Sequence, residues 1–343
     1  MTSTVVLDLE GADLGLDEMI RGARQFQEAR EGDALLRLVT TQPETLASYV
    51  KTKFPRPDLV EVVRAEQEYP KEVPSPVKTY RDLPECSINV GMRMIKEKHD
   101  HVFISPGNTG LVMTSALFTL GRFKGYERIP IGVAFPTVIA NRPVFMLDGG
   151  SNVDVRPEHL HQFARLGGTF ASEVWRRPNP KVALLSNGVE DYKGTEAVRE
   201  ASKLISADPS INYIGFVEGQ TMFDGHVDVV ICDGFVGNLV LKALEGFSGH
   251  LTRYVRSELS RNPWVVMTAG AALKKIFHRI KKSLDYTEYG GAPLLGVNGY
   301  VVICHGRSNS NAIKNAIREG VRLVESGLLK KLAENSHPNQ KAG

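Results

Sequence analysis

The feature that most limits what this chain can fold into is a unit that recurs along it: a short aliphatic or β-branched run that ends in a polar, glycine-rich loop. The runs are Val5–Leu7, Val102–Ile104, Val144–Leu147, Val182–Leu185, Tyr213–Val217, Val229–Cys232 and Val301–Cys304. They are almost continuously apolar rather than alternating, which is the pattern of strands covered on both faces, and helical patterns follow many of the loops. The expected fold is therefore α/β, with helices on both sides of a mostly parallel sheet and one or two strands running antiparallel. In such sheets the loops at the carboxyl ends of the strands open on one side, and ligands bind there.

A length of 343 residues suffices for one large domain. We expect a single catalytic domain over 1–334 and a frayed tail over 335–343. An irregular excursion is expected over 55–84, where Pro55, Pro57, Pro70, Pro74, Pro76 and Pro84 interrupt helices and central strands alike. The formal charge is +3, from 42 Lys+Arg against 39 Asp+Glu, which gives no argument for a nucleic-acid partner. Cys86, Cys232 and Cys304 are scattered and form no C-x-x-C pair; Cys232 and Cys304 end apolar runs and read as buried thiols, and the set fits a reducing cytoplasm. No secretory leader is legible and no apolar run reaches the roughly 18 residues that span a bilayer, so any membrane contact is expected to be peripheral.

The loops carry the chemistry. Ser105-Pro106-Gly107-Asn108-Thr109-Gly110 runs into an apolar helical pattern, so helix-terminal amides there would attract an anion. Asn108 or Thr109 could instead simply cap that helix. Asp233-Gly234-Phe235-Val236-Gly237-Asn238 repeats the arrangement, with Asn238 as a cap and Asp233 and Gly234 at the strand tip. His305-Gly306-Arg307-Ser308-Asn309 gathers an imidazole, a guanidinium and small donors in one turn, and Lys193 adds a cation in a charged loop. There is no G-x-x-x-x-G-K-[ST], no G-x-G-x-x-G after the first strand, no H-E-x-x-H and no G-x-S-x-G. His99 and His101 alone do not make a metal site, so neither metal nor other cofactor is expected. The residues by themselves indicate a phosphate-like anion in an α/β cleft and leave the reaction open.

These loops, in this order, resemble the PlsX family, the phosphate acyltransferases of bacterial phospholipid synthesis. The resemblance rests on SPGNTG (105–110), LDGGSNVDVRPEHL (147–160), LLSNGVEDYKG (184–194), NYIGFVEG (212–219), DVVICDGFVGNLVLKALEG (228–246), YGGAPLLG (289–296) and HGRSNSNAI (305–313). It implies a three-layer α/β/α sandwich similar to phosphotransacetylases and isocitrate-dehydrogenase-like enzymes. It implies transfer of a long-chain acyl group from acyl carrier protein to inorganic phosphate, in a cytoplasmic homodimer peripherally associated with the inner face of the membrane. The product would feed a downstream glycerol-3-phosphate acyltransferase. With the resemblance in place, His305, Lys193, Asn108 and Asp233 are the candidate catalytic residues. Asp8, Ser105, Gly107, Thr109, Gly110, Asp148, Asn152, Gly234, Asn238 and Arg307 are the candidate phosphate and substrate contacts. Phosphate can attack a thioester directly, so no serine or cysteine nucleophile is needed.

Leu273–Leu284 has five Lys/Arg and no acid, with Leu273, Ile276, Phe277, Ile280 and Leu284 at helical spacing. A basic amphipathic helix near 265–285 would meet anionic lipid or the acidic carrier through Lys274, Lys275, Phe277, Arg279, Lys281 and Lys282. The chain departs from the family where a D-A-M-G-G-D run is usual. It has Asp8-Leu9-Glu10-Gly11-Ala12-Asp13, and the added volume and charge of Glu10 are expected to narrow an anion site or repel phosphate. Cys86 stands where serine is usual, Gln220-Thr221 where Arg-Asp is usual, and Arg307 where a small residue is usual. These departures keep two other readings open: a related acyl or phosphate transferase using acyl-CoA or another acceptor, and a non-catalytic paralogue that binds lipid-synthesis partners.

Overall fold

The computed structural model describes residues 3–29, 33–261 and 290–335. Every apolar run singled out above is a strand, and four further strands complete two sheets. The first sheet has the order β10-β11-β4-β1-β2-β3, built from β1 (Ser3–Asp8), β2 (Ala34–Thr40), β3 (Val60–Arg64), β4 (His101–Ser105), β10 (Ala292–Leu294) and β11 (Tyr300–Ile303). The second has the order β5-β6-β9-β7-β8, built from β5 (Gly132–Phe135), β6 (Val144–Leu147), β7 (Lys181–Leu185), β8 (Asn212–Val217) and β9 (Val229–Ile231). Pairing is parallel except at β10–β11 and β5–β6. Those two antiparallel strands are the facing edges of the sheets, joined by an antiparallel bridge between Ile131 and Leu294.

Because successive strand residues point to opposite faces, each sheet feeds two cores. Val5 and Leu7 pack on one side with α1 (Leu16–Ala29), α6 (Pro157–Glu173), α9 (Ser310–Ser326) and α10 (Leu328–Asn335). Val6 packs on the other with α4 (Ser87–Met94), α5 (Thr109–Thr119) and part of α8 (Gly234–Arg261). The expected layering of helix, sheet and helix is what forms. The remaining helices are α2 (Pro43–Lys53), α3 (Pro76–Asp82) and α7 (Glu196–Ser206).

The proline-rich stretch over 55–84 holds more order than its prolines suggest. Pro57 and Pro76 open a 3-10 turn and α3, where a missing N–H costs nothing, and β3 between them is proline-free and pairs with β2 at the sheet edge. The basic segment near 265–285 and the tail over 336–343 lie outside the described residues.

The loop after β6 is pressed against the start of α8. A Cβ added at Gly237 would lie 1.9 Å from the Asp148 carbonyl oxygen, and one at Gly234 would lie 2.7 Å from the Asn152 amide nitrogen. Both obstacles are backbone and cannot swing aside. Gly237→Ala is therefore expected to lower the unfolding free energy in urea by about 2–3 kcal/mol; an unchanged midpoint and slope would show that this contact is not tight.

Candidate active site

The carboxyl-end loops of both sheets converge on a cavity of about 360 Å³ at the join. Its floor is apolar, with Ile131 and Val133 beside β5, Ala292 on β10 and Ile303 on β11. Polar groups ring it: Thr109 at the start of α5, Asn238 and Lys242 on α8, and His305 and Ser308 in the loop before α9. Four loops distant in sequence thus meet in one place.

Two buried aspartates at strand tips fix those loops. Asp148 is fully buried. Its carboxylate accepts from the amides of Ile131, Gly150, Ser151 and Asn152 at 3.0, 3.1, 3.0 and 2.7 Å. It also accepts from Ser151 Oγ at 2.7 Å and Asn152 Nδ2 at 2.8 Å. That set consumes both oxygens, and neither Asp148 nor Asn152 lines the cavity. The expectation that they touch phosphate is replaced by another role: they lock the β6 loop to the strand edge at Ile131.

Asp8 does the same for the first sheet. Also fully buried, it accepts from Ser105 Oγ at 2.6 Å and the Glu10 amide at 2.9 Å, with the Tyr69 hydroxyl at 3.5 Å. Ser105 Oγ in turn accepts from the Gly107 amide at 3.0 Å. Burial pushes the Asp8 carboxyl up to about 6, against the lowering effect of the Ser105 hydroxyl. Tyr69 lies in the proline-rich stretch and belongs to no motif of the sequence. Its hydroxyl fills the notch between two glycine loops, where a Cβ on Gly11 or Gly107 would fall 2.2 or 2.4 Å from it. The sequence signal that bears on it is Gly11 itself, a glycine at a strand end where a Cβ would collide with the hydroxyl.

With Gly107 turned inward, the N-terminus of α5 faces the cavity. Asn108 is its cap and accepts from the Leu111 amide at 3.1 Å, so the capping alternative is realised for this side chain. The first helical amides, those of Thr109 and Gly110, have no acceptor within a helix by geometry and remain for a ligand. His305, which lines the cavity, accepts from the Arg307 amide at Nδ1 at 3.0 Å, so in the neutral ring Nε2 carries the proton. Lys242, unremarked in the sequence because it interrupts an apolar helix, pairs with Glu245 at 2.8 Å on the cavity wall.

The other candidates fall outside. Asp233 caps α8 through the Val236 amide at 2.8 Å, and Gly234 is buried beneath Asn152. Lys193 lies 5.4 Å from the centre of the Tyr192 ring and does not line the cavity, nor does the exposed Arg307 side chain. Glu10 is also turned away. Its carboxylate accepts from Thr40 Oγ1, the Thr41 amide and Thr41 Oγ1 at 3.0, 2.8 and 3.1 Å, so the expected crowding of the anion site does not occur. Three donors at the end of β2 satisfy the charge there. Cys304 lines the cavity, but burial pushes its thiol up to about 12, which makes it a poor nucleophile at neutral pH.

The fold is that of the phosphotransacetylases. The phosphotransacetylase of Streptococcus pyogenes superposes with a TM-score of 0.62 at 16% identity over 94% of each chain. The EutD phosphotransacetylase of Staphylococcus aureus gives 0.61 at 14% identity, over 95% of this chain and 94% of that one. The class is thus an α/β fold of two joined sheets with a cleft at the join. In sequence, a family model described as "Fatty acid synthesis protein" matches residues 3–331. The phosphate acyltransferase of Dictyoglomus turgidum is 38% identical over 330 residues, 96% of each chain. That of Moorella thermoacetica is 40% identical over 330 residues, 96% of this chain and 95% of its own. The chain belongs to the PlsX family of phosphate acyltransferases.

Asp8 gives a stability prediction of definite sign. Its folded pKa is raised above the unfolded value of 3.8, so its ionisation opposes folding, and that burden is relieved as pH falls below about 6. Going from pH 7 to pH 4, the parent protein should gain about 2–3 kcal/mol relative to Asp8→Asn, measured by urea unfolding at both pH values. Parallel pH dependence in the two proteins would contradict the assignment.

Proposed function

We propose that this enzyme transfers a long-chain acyl group from acyl carrier protein to inorganic phosphate, releasing acyl phosphate for phospholipid synthesis. The observation that carries the reading is the composition of the cavity. One apolar floor, suited to an acyl chain, lies under a ring of polar groups from α5, α8 and the loop before α9, suited to an anion and a carbonyl oxygen.

In this reading phosphate sits at the N-terminus of α5, held by the Thr109 and Gly110 amides, with the Asn238 side chain across the cavity. A phosphate oxygen attacks the thioester carbonyl carbon, and the carbonyl π electrons move onto oxygen. His305 Nε2–H donates to that oxyanion. Collapse re-forms the carbonyl, breaks the C–S bond and expels the carrier's thiolate, which takes a proton from solvent. Phosphate is partly dianionic near neutrality, so no general base is required. Holding both reactants in one cavity supplies the rate advantage that a covalent intermediate would otherwise have to provide. Lys193, Asp233 and Arg307 support the neighbouring loops in this scheme, and the two sheets act as one catalytic domain.

The same proposal includes a cytoplasmic homodimer at the membrane surface. Phe235, Leu239, Phe247 and Tyr254 leave 63%, 61%, 67% and 65% of their surface exposed along α8, a load of apolar area that a partner subunit would cover. No helix among the described residues is long and apolar enough to cross a membrane. The basic residues Lys274, Lys275, Arg279, Lys281 and Lys282, proposed with Phe277 as lipid or carrier contacts, lie outside the described residues.

The test is mass-spectrometric detection of acyl phosphate with long-chain acyl carrier protein or acyl-CoA as donor, each with and without phosphate. Product formed only with the carrier-borne donor and phosphate is expected. His305→Ala should lower kcat about a hundredfold with little change in KM for phosphate. Product from acyl-CoA alone would replace the donor, and phosphate binding without product from either donor would indicate a non-catalytic relative.

A further inference from the structure

The face of the sheet opposite the reaction cavity carries a second, larger opening of about 760 Å³. Its floor is aromatic. Phe145 and Phe170 stack with centroids 4.0 Å apart, and Trp175 stands edge-on to them at 5.4 and 5.5 Å. Its rim is cationic, with Arg176, Arg177, Arg318 and Arg322 set against the acid Glu319. Part of this charge is balanced internally. Arg177 binds the buried Asp228 at 2.9 Å while its guanidinium lies 4.7 Å from the Trp175 ring centre, and Arg322 binds Glu319 at 3.0 Å.

Arg176 stands apart from these. It is exposed, and its backbone is left-handed, with φ of 54°. That conformation belongs to the turn that ends α6, closed by the Arg177 amide on the Ala171 carbonyl at 3.1 Å, and it holds the Arg176 side chain on the rim of the opening. Asn141, on the same rim, is also left-handed at φ 59°.

The two openings meet at Ala134 and Gly291, which line both. These residues sit on the facing edges of the sheets, beside the bridge between Ile131 and Leu294. Gly291 cannot carry a side chain there, since a Cβ would lie 2.7 Å from Val302 Cγ1. The arginine-rimmed opening and the reaction cavity thus share a wall made of two of the smallest residues.

We propose that this arginine-rimmed opening is where an acidic carrier protein docks, its acidic face against Arg176, Arg318 and Arg322, so that its thioester arm enters the reaction cavity past Ala134 and Gly291. The proposal rests on the reading above that the acyl donor is borne on a carrier. Charge complementarity favours it, and the surface is concave, which suits the convex edge of a small protein better than a flat lipid headgroup layer.

Arg176→Glu in the full-length enzyme tests it. The quantities to measure are Kd and KM for the acyl carrier, and KM for a carrier-free acyl-pantetheine thioester and for phosphate. Carrier Kd and KM should rise about tenfold and become less sensitive to salt, while the other two constants stay put. Arg176→Gly removes the charge while relieving the left-handed backbone, so it should show the same loss with no fall in stability. Arg176→Lys should restore most of the affinity. Unchanged carrier constants in the Glu and Gly variants would overturn the docking surface, as would equal losses on both donors. Carrier binding weakened by these variants, in an enzyme that turns over neither donor, would uphold docking and overturn the reaction instead.

Discussion

The structure depends on one buried carboxylate more than on any other group. Asp148 ends β6 in a fully buried position, and an unpaired charge there would be severely destabilising. Its survival requires the surrounding amides to point at it, and they do: those of Ile131, Gly150, Ser151 and Asn152 all donate. Satisfying the charge therefore shapes the loop, ties it to the edge of the second sheet and sets where α8 begins. The cavity exists at the join because this loop cannot relax away from it.

Asp8 plays the matching part in the first sheet, with a difference that matters. It takes fewer donors than Asp148 and sits beside the Tyr69 hydroxyl, and burial leaves it with a raised pKa of about 6. The Asp8–Ser105–Gly107 chain turns one amide of the glycine loop inward. The next helical amides, at Thr109 and Gly110, are thereby left at the open N-terminus of α5, where we place phosphate. Both acids are satisfied within the protein and support the loops that border the cavity.

How much of this the residues disclose follows from the physics of each signal. Strands such as Val229–Ile231 and Val301–Val302 are legible because continuous burial demands continuous apolarity, and glycines at strand ends mark where backbones approach closely. The parallel sheet and its side of opening follow from these. The direction in which a polar side chain turns is another matter. Asp148, Asn152 and Glu10 sit in loops that bound a cleft, and only the three-dimensional supply of donors decides whether they face it. Tyr69 and β3 were hidden for a related reason: prolines nearby disguise an edge strand and an inward-pointing phenol as irregular chain. His305 stands out in the sequence at a strand end and does line the cavity, while the state of its ring depends on an amide two residues on, which donates to Nδ1.

The central claim is that the N-terminal amides of α5 hold phosphate. Thr109 is the first residue of that helix and lines the cavity. Proline is tolerated at such a position, and Asn108 before it, at φ −59° and ψ 119°, already has the extended backbone that proline requires of its predecessor. Thr109→Pro thus removes an N–H without breaking the helix. Calorimetric titration with phosphate should show affinity falling at least about tenfold while Tm is preserved. Undiminished phosphate affinity in that variant would contradict the account.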